Sequence, residues 1–215
     1  RKGLIIFNFI AAVAKKYSGG IGIAYHRIRS RGSLIQGTNG LSNGLVPFLK
    51  VFDSSVHAVN QGGKRKGAAA IYLEPWHADI EEFLELRNNT GDEANRTHNL
   101  NTSNWVSDLF MKRVESGAEW SLFDPKDTPE LVDLYGAEFE AAYLKAEAAG
   151  KAVRKVPARD LYARMMKTLA ESTPPPAQQA TIERTPQVHR KVGSIRRDRV
   201  GIEPLPAATA AHDVA

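Results

Sequence analysis

Apolar residues recur at a helical interval between Leu45 and Val59. Leu45, Phe48, Leu49, Phe52, Val56 and Val59 fall on one stripe, with Lys50, Asp53 and His57 off it. Pro47 sits in the first turn, where a missing N–H costs nothing. Two short apolar stretches, Gly19–Ala24 and Ala68–Leu73, read as strands. Between Asp79 and Glu85 the pattern is helical again: Ile80, Phe83 and Leu84 point inward, Glu81, Glu82 and Glu85 outward, and Asp79 is placed to cap. Asn88–Asn95 is a polar loop, and Leu100–Val106 reads as a further strand. Ser107 is placed to cap a helix carrying Leu109, Phe110 and Val114. Trp120–Phe123 is a short strand. A helical stretch from Thr128 to Ala149 is interrupted at Gly136, and a last helix, Ala158–Glu171, carries Leu161, Tyr162, Met165 and Leu169.

Strands alternating with helices predict an α/β domain with parallel pairing. The pattern stops at Ser172, where Thr173-Pro174-Pro175-Pro176 breaks it. Beyond lies a segment rich in Ala, Pro, Arg and Gln, expected to be disordered because it cannot bury enough apolar surface to offset its ordering entropy. At the other end, Arg1-Lys2 precedes the apolar run Leu4–Val13, which is too short to span a bilayer. That run is read as an element of the fold, with a targeting segment as the alternative.

The 215 residues are enough for one core, and a net charge of +5 suits an anionic partner without marking a nucleic-acid binder. The basic runs lack interleaved aromatics, so neither nucleic acid nor a membrane is expected as a partner. There is no cysteine, which excludes disulfides, thiolate metal sites and a cysteine nucleophile, and fits a reducing, cytoplasmic setting. The six histidines have no zinc spacing, so no metal site is assigned; His77 beside Trp76 is read as a structural hydrogen-bonding group. Three Asn-x-Ser/Thr triplets, at Asn88, Asn95 and Asn101, are taken as chance. No P-loop is present, and Gly20-Ile21-Gly22 lacks the third glycine of a dinucleotide fingerprint.

Two basic loops carry more. Gln61-Gly62-Gly63-Lys64-Arg65-Lys66-Gly67 sets three cations among glycines, directly before an apolar strand. Glycine lets backbone N–H groups approach a ligand, and the cations offset its charge. Arg27–Arg31 is a second basic loop after a Gly-rich strand, followed by the turn residues Gly37-Thr38-Asn39-Gly40. A solvated turn with incidental Lys and Arg accounts for either loop alone. Two of them at strand–loop junctions favour a nucleotide site.

The stretches Lys16-Tyr17-Ser18-Gly19-Gly20-Ile21-Gly22, Gly37-Thr38-Asn39-Gly40, Gln61–Ala68, Tyr72-Leu73-Glu74-Pro75-Trp76-His77 and Asp108–Val114 resemble the large catalytic chain of class I ribonucleotide reductase. The resemblance covers about residues 14–172, leaving 1–13 and 173–215 unmatched. It implies part of a ten-stranded α/β barrel, and an enzyme that reduces ribonucleoside diphosphates through a thiyl radical and a cysteine pair. It implies nucleoside diphosphate substrates and nucleoside triphosphate effectors. It also implies a second large chain, and a metal-containing small subunit that generates the radical. By position, Lys16, Arg29, Gln36 and Gly37 resemble effector contacts. Gly19, Gly20, Gln61, Gly62, Gly63, Lys64 and Arg65 resemble substrate-site and mobile-loop residues, Arg65 being the arm toward the substrate. The family's thiols fall outside the resembling stretch, so no catalytic residue and no cofactor is assigned to this chain. The expectation is an inactive piece from a truncated, frame-shifted or interrupted reading, or a non-catalytic nucleotide-binding or interaction module of the same descent.

Overall fold

A computed structural model of the chain describes residues 21–37, 39–58, 60–61, 65–66, 69–88, 90–171 and 181–184. The first half runs β1 (Ile21–Ala24), β2 (Arg31–Ile35), β3 (Gly40–Asn43), α1 (Val46–Ala58), β4 (Asn60–Gln61), β5 (Arg65–Lys66), β6 (Ala69–Leu73) and α2 (Ile80–Leu84). The second half runs β7 (Asn101–Val106), α3 (Asp108–Ser116), β8 (Glu119–Leu122), α4 (Gly136–Ala148), β9 (Arg154–Pro157), α5 (Ala158–Glu171) and β10 (Thr181–Arg184).

The main sheet is parallel throughout, in the order β1-β6-β7-β10. β6 lies inside it, and its Ala69, Ile71 and Leu73 are buried, as a covered parallel strand requires. Among the described residues β1 and β10 each have one neighbour in this sheet, so there is no closed barrel; the architecture is mixed α/β. Within the segment expected to be disordered, Thr181–Arg184 pairs parallel to β7 from Thr181↔Ser103 to Arg184↔Val106. An unpaired β7 edge offers a row of backbone donors and acceptors, and this four-residue segment pairs with its Ser103–Val106 part. The rest of 173–215, and all of 1–20, lie outside the described residues.

The helices follow the sequence pattern closely. α1 buries Leu49, Phe52 and Val56, while Phe48 is exposed. Asp53, expected off the apolar stripe, is nonetheless buried: its carboxylate accepts from the backbone N–H (2.8 Å) and side-chain amide (3.1 Å) of Asn99. Lys50 Nζ donates to the carbonyls of Glu93 and Arg96, so α1 also holds the loop before β7. Ser107 caps α3 as its sequence predicts, accepting from Phe110 N–H, and Gly117 closes the helix in the left-handed region. α5 spans the predicted residues and packs against α2 and α3. The Thr128–Ala149 stretch divides into a 3-10 turn at Pro129–Val132 and α4, whose first residue Gly136 has φ 58°.

β9 is an addition to the sequence reading. It pairs antiparallel with β8, from Glu119↔Pro157 to Leu122↔Arg154. Beneath this ribbon Trp120 and Tyr143 stack at 4.3 Å, with Phe110 edge-on to Trp120 at 5.0 Å. Arg113 lies over both stacked rings and forms a forked pair with Glu147. The cluster ties α3, β8 and α4 into the core.

Candidate functional site

The first basic segment leaves β1 and turns at Tyr25–Ile28 into an antiparallel hairpin, β2–β3, with Leu34↔Leu41 and Ile35↔Gly40 in register. The segment read as a basic loop therefore ends earlier than expected, because Arg31 already belongs to β2. Gln36 and Gly37 stand exposed at its tip, with nothing within 4 Å of a side chain at Gly37. Asn39 follows with φ 49°, a conformation its short polar side chain tolerates.

Its three arginines differ in their surroundings. Arg27 pairs with Asp133 at 2.5 Å and Arg31 with Glu82 at 3.2 Å. Arg29 is half-buried and donates one N–H to the Leu34 carbonyl at 3.0 Å, and it has no carboxylate partner among the described residues. A guanidinium carries five N–H donors, so most of this one's capacity remains for an anion.

The second basic segment also forms a hairpin. β4 and β5 pair antiparallel, Asn60↔Lys66 and Gln61↔Arg65, so Gln61 and Arg65 face each other across the base of the connection. Gly62, Gly63 and Lys64 lie outside the described residues, as do Lys16, Gly19 and Gly20. The structure thus brings Gln36 and Gly37 to the tip of one hairpin, with Arg29 two residues before its first strand, and Gln61 and Arg65 onto another.

Both hairpins precede β6, and β6 ends in a buried polar knot. Glu74 is 8% exposed; its Oε2 accepts from Trp76 Nε1–H at 2.6 Å, and its Oε1 lies 3.8 Å from His26 Nδ1. Burial pushes the Glu74 carboxyl up to about 8, outweighing the opposing Trp76 hydrogen bond. His77 is fully buried. Its Nδ1 accepts from Asp79 N–H at 3.1 Å, which leaves Nε2–H to donate to the Ile28 carbonyl at 2.7 Å. Burial lowers its pKa, with the Ile28 hydrogen bond and the charges of Asp79 and Asp124 opposing, and its role is structural, as the sequence suggested.

A cavity of about 580 Å³ opens beside Glu74, between the start of α3 and the segment leading into α4, with Ser107, Met111, Leu134, Tyr135 and Phe139 in its wall. It sits at the carboxyl end of β6 and β7, the usual side for ligands in a parallel sheet. Glu74 belongs to the resembling stretch Tyr72–His77 but has no site role in the sequence reading, because one acid after an apolar strand carries no periodic or spacing signal. Among the described residues there is no group of three or more His, Cys, Asp or Glu placed to hold a metal ion, and no helix long and apolar enough to cross a membrane.

Comparison with known proteins places this arrangement. A family model described as "Ribonucleotide reductase, barrel domain" matches residues 6–195, a wider span than the motif-bearing 14–172. The chain is 52% identical over 165 residues to the ribonucleoside-diphosphate reductase large subunit of Arabidopsis thaliana, covering 76% of this chain and 20% of that one. To the large subunit of Caenorhabditis elegans it is 52% identical over 162 residues, covering 75% of this chain and 21% of the other. To the subunit alpha of Chlamydia muridarum it is 49% identical over 169 residues, covering 76% and 16%. It therefore spans between 16% and 21% of the length of these relatives. With most of its length matched, the chain belongs to the ribonucleotide reductase barrel-domain family.

Proposed function

We propose that this chain is a nucleotide-recognition portion of a ribonucleoside-diphosphate reductase large chain. In this reading Arg29 takes an effector triphosphate, with Gln36 and Gly37 at the hairpin tip and Lys16 from the preceding segment. Gln61, Gly62, Gly63, Lys64 and Arg65, together with Gly19 and Gly20, approach a nucleoside diphosphate substrate. The observation that carries the reading is Arg29: alone among the three arginines of its segment it faces no carboxylate among the described residues. The relatives' names supply the reaction, and the full reaction would involve a second large chain and a small subunit whose metal centre supplies the radical. This chain's own contribution is to bind and orient nucleotides. It has no cysteine, so no thiyl radical or reducing thiol pair can form on it.

The same lack of cysteine favours a second reading, a non-catalytic nucleotide-binding or interaction module derived from the family. Both readings expect no deoxyribonucleotide from the chain with a small subunit and a thiol reductant; product above a no-protein control overturns both. They part when the cysteine-bearing remainder of a large chain is added: restored reduction supports the portion, continued inactivity the module.

Calorimetric titration of dATP, dTTP and dGTP into the chain tests the site. A charged hydrogen bond to phosphate is worth about 1.5–3 kcal/mol, so Arg29→Ala is expected to weaken binding by about ten- to a hundredfold. Arg65→Ala is expected to weaken nucleoside diphosphate binding more than triphosphate binding. Binding that Arg29→Ala leaves untouched removes Arg29 from the site, and a folded chain that binds none of the three refutes the nucleotide reading.

A further inference from the structure

Asp79 stands at the N-cap position of α2, where an aspartate ordinarily accepts from its own helix. It makes no such bond. Its carboxylate instead accepts from the backbone N–H of Arg31, at 3.0 Å to Oδ1 and 3.2 Å to Oδ2, and from the backbone N–H of Leu45, at 3.1 Å to Oδ2. Arg31 opens β2, and Leu45 lies two residues beyond the end of β3. One carboxylate, only 6% exposed, thus holds both the entry and the exit of the hairpin.

Gly44 records how tightly the chain passes. It has φ 77°, and a Cβ there would lie 2.6 Å from Asp79 Oδ2 and 3.0 Å from Arg31 Cβ. The other side of Arg29 is held as well. His77, two residues before Asp79, donates to the Ile28 carbonyl, and its Nδ1 accepts the Asp79 N–H. Ser42 Oγ donates to the Arg29 carbonyl at 3.4 Å, and Ser30 Oγ donates to Asp124 at 2.9 Å. Residues 28–31 are therefore pinned at every position, and the Arg29 side chain, anchored by one N–H to the Leu34 carbonyl, keeps its remaining N–H groups for a ligand.

We infer that Asp79 is a positioning residue for Arg29: by clamping both flanks of the β2–β3 hairpin it fixes the guanidinium where an incoming polyphosphate meets it. The inference rests on the reading of this hairpin as a polyphosphate site. Asp79 touches no ligand. It acts by holding the backbone on which Arg29 is carried, so that binding does not have to order the hairpin first.

Asp79→Asn is the informative variant, because it keeps one acceptor oxygen and the side-chain shape while placing an NH2 group against one of the two clamped N–H groups. Three measurements on the full chain test the inference: amide resonances, amide hydrogen exchange, and titration with inorganic tripolyphosphate. In Asp79→Asn the Arg31 and Leu45 amide protons are expected to move upfield as they lose a charged acceptor. Their exchange is expected to quicken, and tripolyphosphate affinity to fall by about tenfold, the loss of one charge-assisted restraint. Asp79→Ala should lose more. Tyr143→Phe removes the hydroxyl that bonds both the N–H and the carbonyl of Ser121, and so lowers stability at a distance; it should leave the affinity and both amides unchanged. Unaltered Arg31 and Leu45 amides in Asp79→Asn overturn the clamp. Altered amides with unaltered affinity overturn the positioning role. An equal affinity loss in Tyr143→Phe overturns it too, by showing that general stability governs binding. A parent chain that takes up no tripolyphosphate refutes the underlying hairpin reading and the positioning role with it, and the amide signals then decide the clamp alone.

Discussion

Replacing Glu74 by Gln should flatten the dependence of folding stability on pH. Burial raises this carboxyl from its ordinary 4.5 to about 8. Between those values the folded chain holds a proton that the unfolded chain has released. Stability contributed by the neutral carboxyl is therefore complete below pH 4.5 and is lost as pH rises to about 8. The cost is about 1.4 kcal/mol per pH unit, or about 5 kcal/mol across the whole window. Against an unfolding free energy of about 5–15 kcal/mol for a domain, that is a large fraction. Glutamine is close in shape and always neutral, and its amide oxygen still accepts the Trp76 indole N–H. Urea unfolding at pH 5, 6, 7 and 8, followed by the fluorescence of the buried Trp76 and Trp120, reads the effect directly. The parent should lose about 3–4 kcal/mol more than Glu74→Gln between pH 5 and 8. His77 acts in the opposite sense, because its lowered pKa costs stability as pH falls, but it is present in both chains and cancels in the difference. Parallel stability profiles for the two proteins would show that Glu74 is ionised in the fold at neutral pH, and the argument from its burial would fail.

Two further outcomes follow from the core. Ser107→Ala should cost about 1 kcal/mol through loss of the α3 cap, seen as a lower urea midpoint with an unchanged slope; no shift would mean that the Phe110 N–H finds another acceptor. Arg113 and Glu147 are only 16% and 17% exposed, so their forked pair is screened little. A double-mutant cycle of Arg113→Ala with Glu147→Ala should return a coupling of about 1–3 kcal/mol, and strict additivity would show that Arg113 matters only for covering Trp120 and Tyr143.

The candidate site was partly legible in the sequence. The Arg27–Arg31 segment and the glycine–cation segment stood out because cations among glycines next to apolar strands are a local arrangement; Arg29 itself was singled out only by the family resemblance. Their partners did not stand out. That Arg27 and Arg31 meet carboxylates while Arg29 does not depends on Asp133 and Glu82, far along the chain. Asp79 looked like a helix cap because its neighbours are helical, and only the path of the β2–β3 hairpin diverts its carboxylate. Glu74 lay within a stretch that carries the family resemblance, but nothing local marked its carboxyl as buried until β6 carried it into the core.

What the sequence by itself determined are the elements whose causes are local. The α5 stripe, the Ser107 cap and the buried run Ala69–Leu73 each arise from side chains a few residues apart, and each lies where periodicity put it. Tertiary structure decided the rest. β9 has an exposed, basic sequence without alternation, and it is a strand because β8 supplies an antiparallel partner. β10 is one because the outer edge of β7 was open. Asp53 is buried because Asn99 satisfies it, and the Glu74 carboxyl is pushed up because β6 ends inside the core. In each case the deciding group is distant in the chain, and backbone pairing, desolvation and hydrogen-bond partners exist only once the fold has brought those groups together.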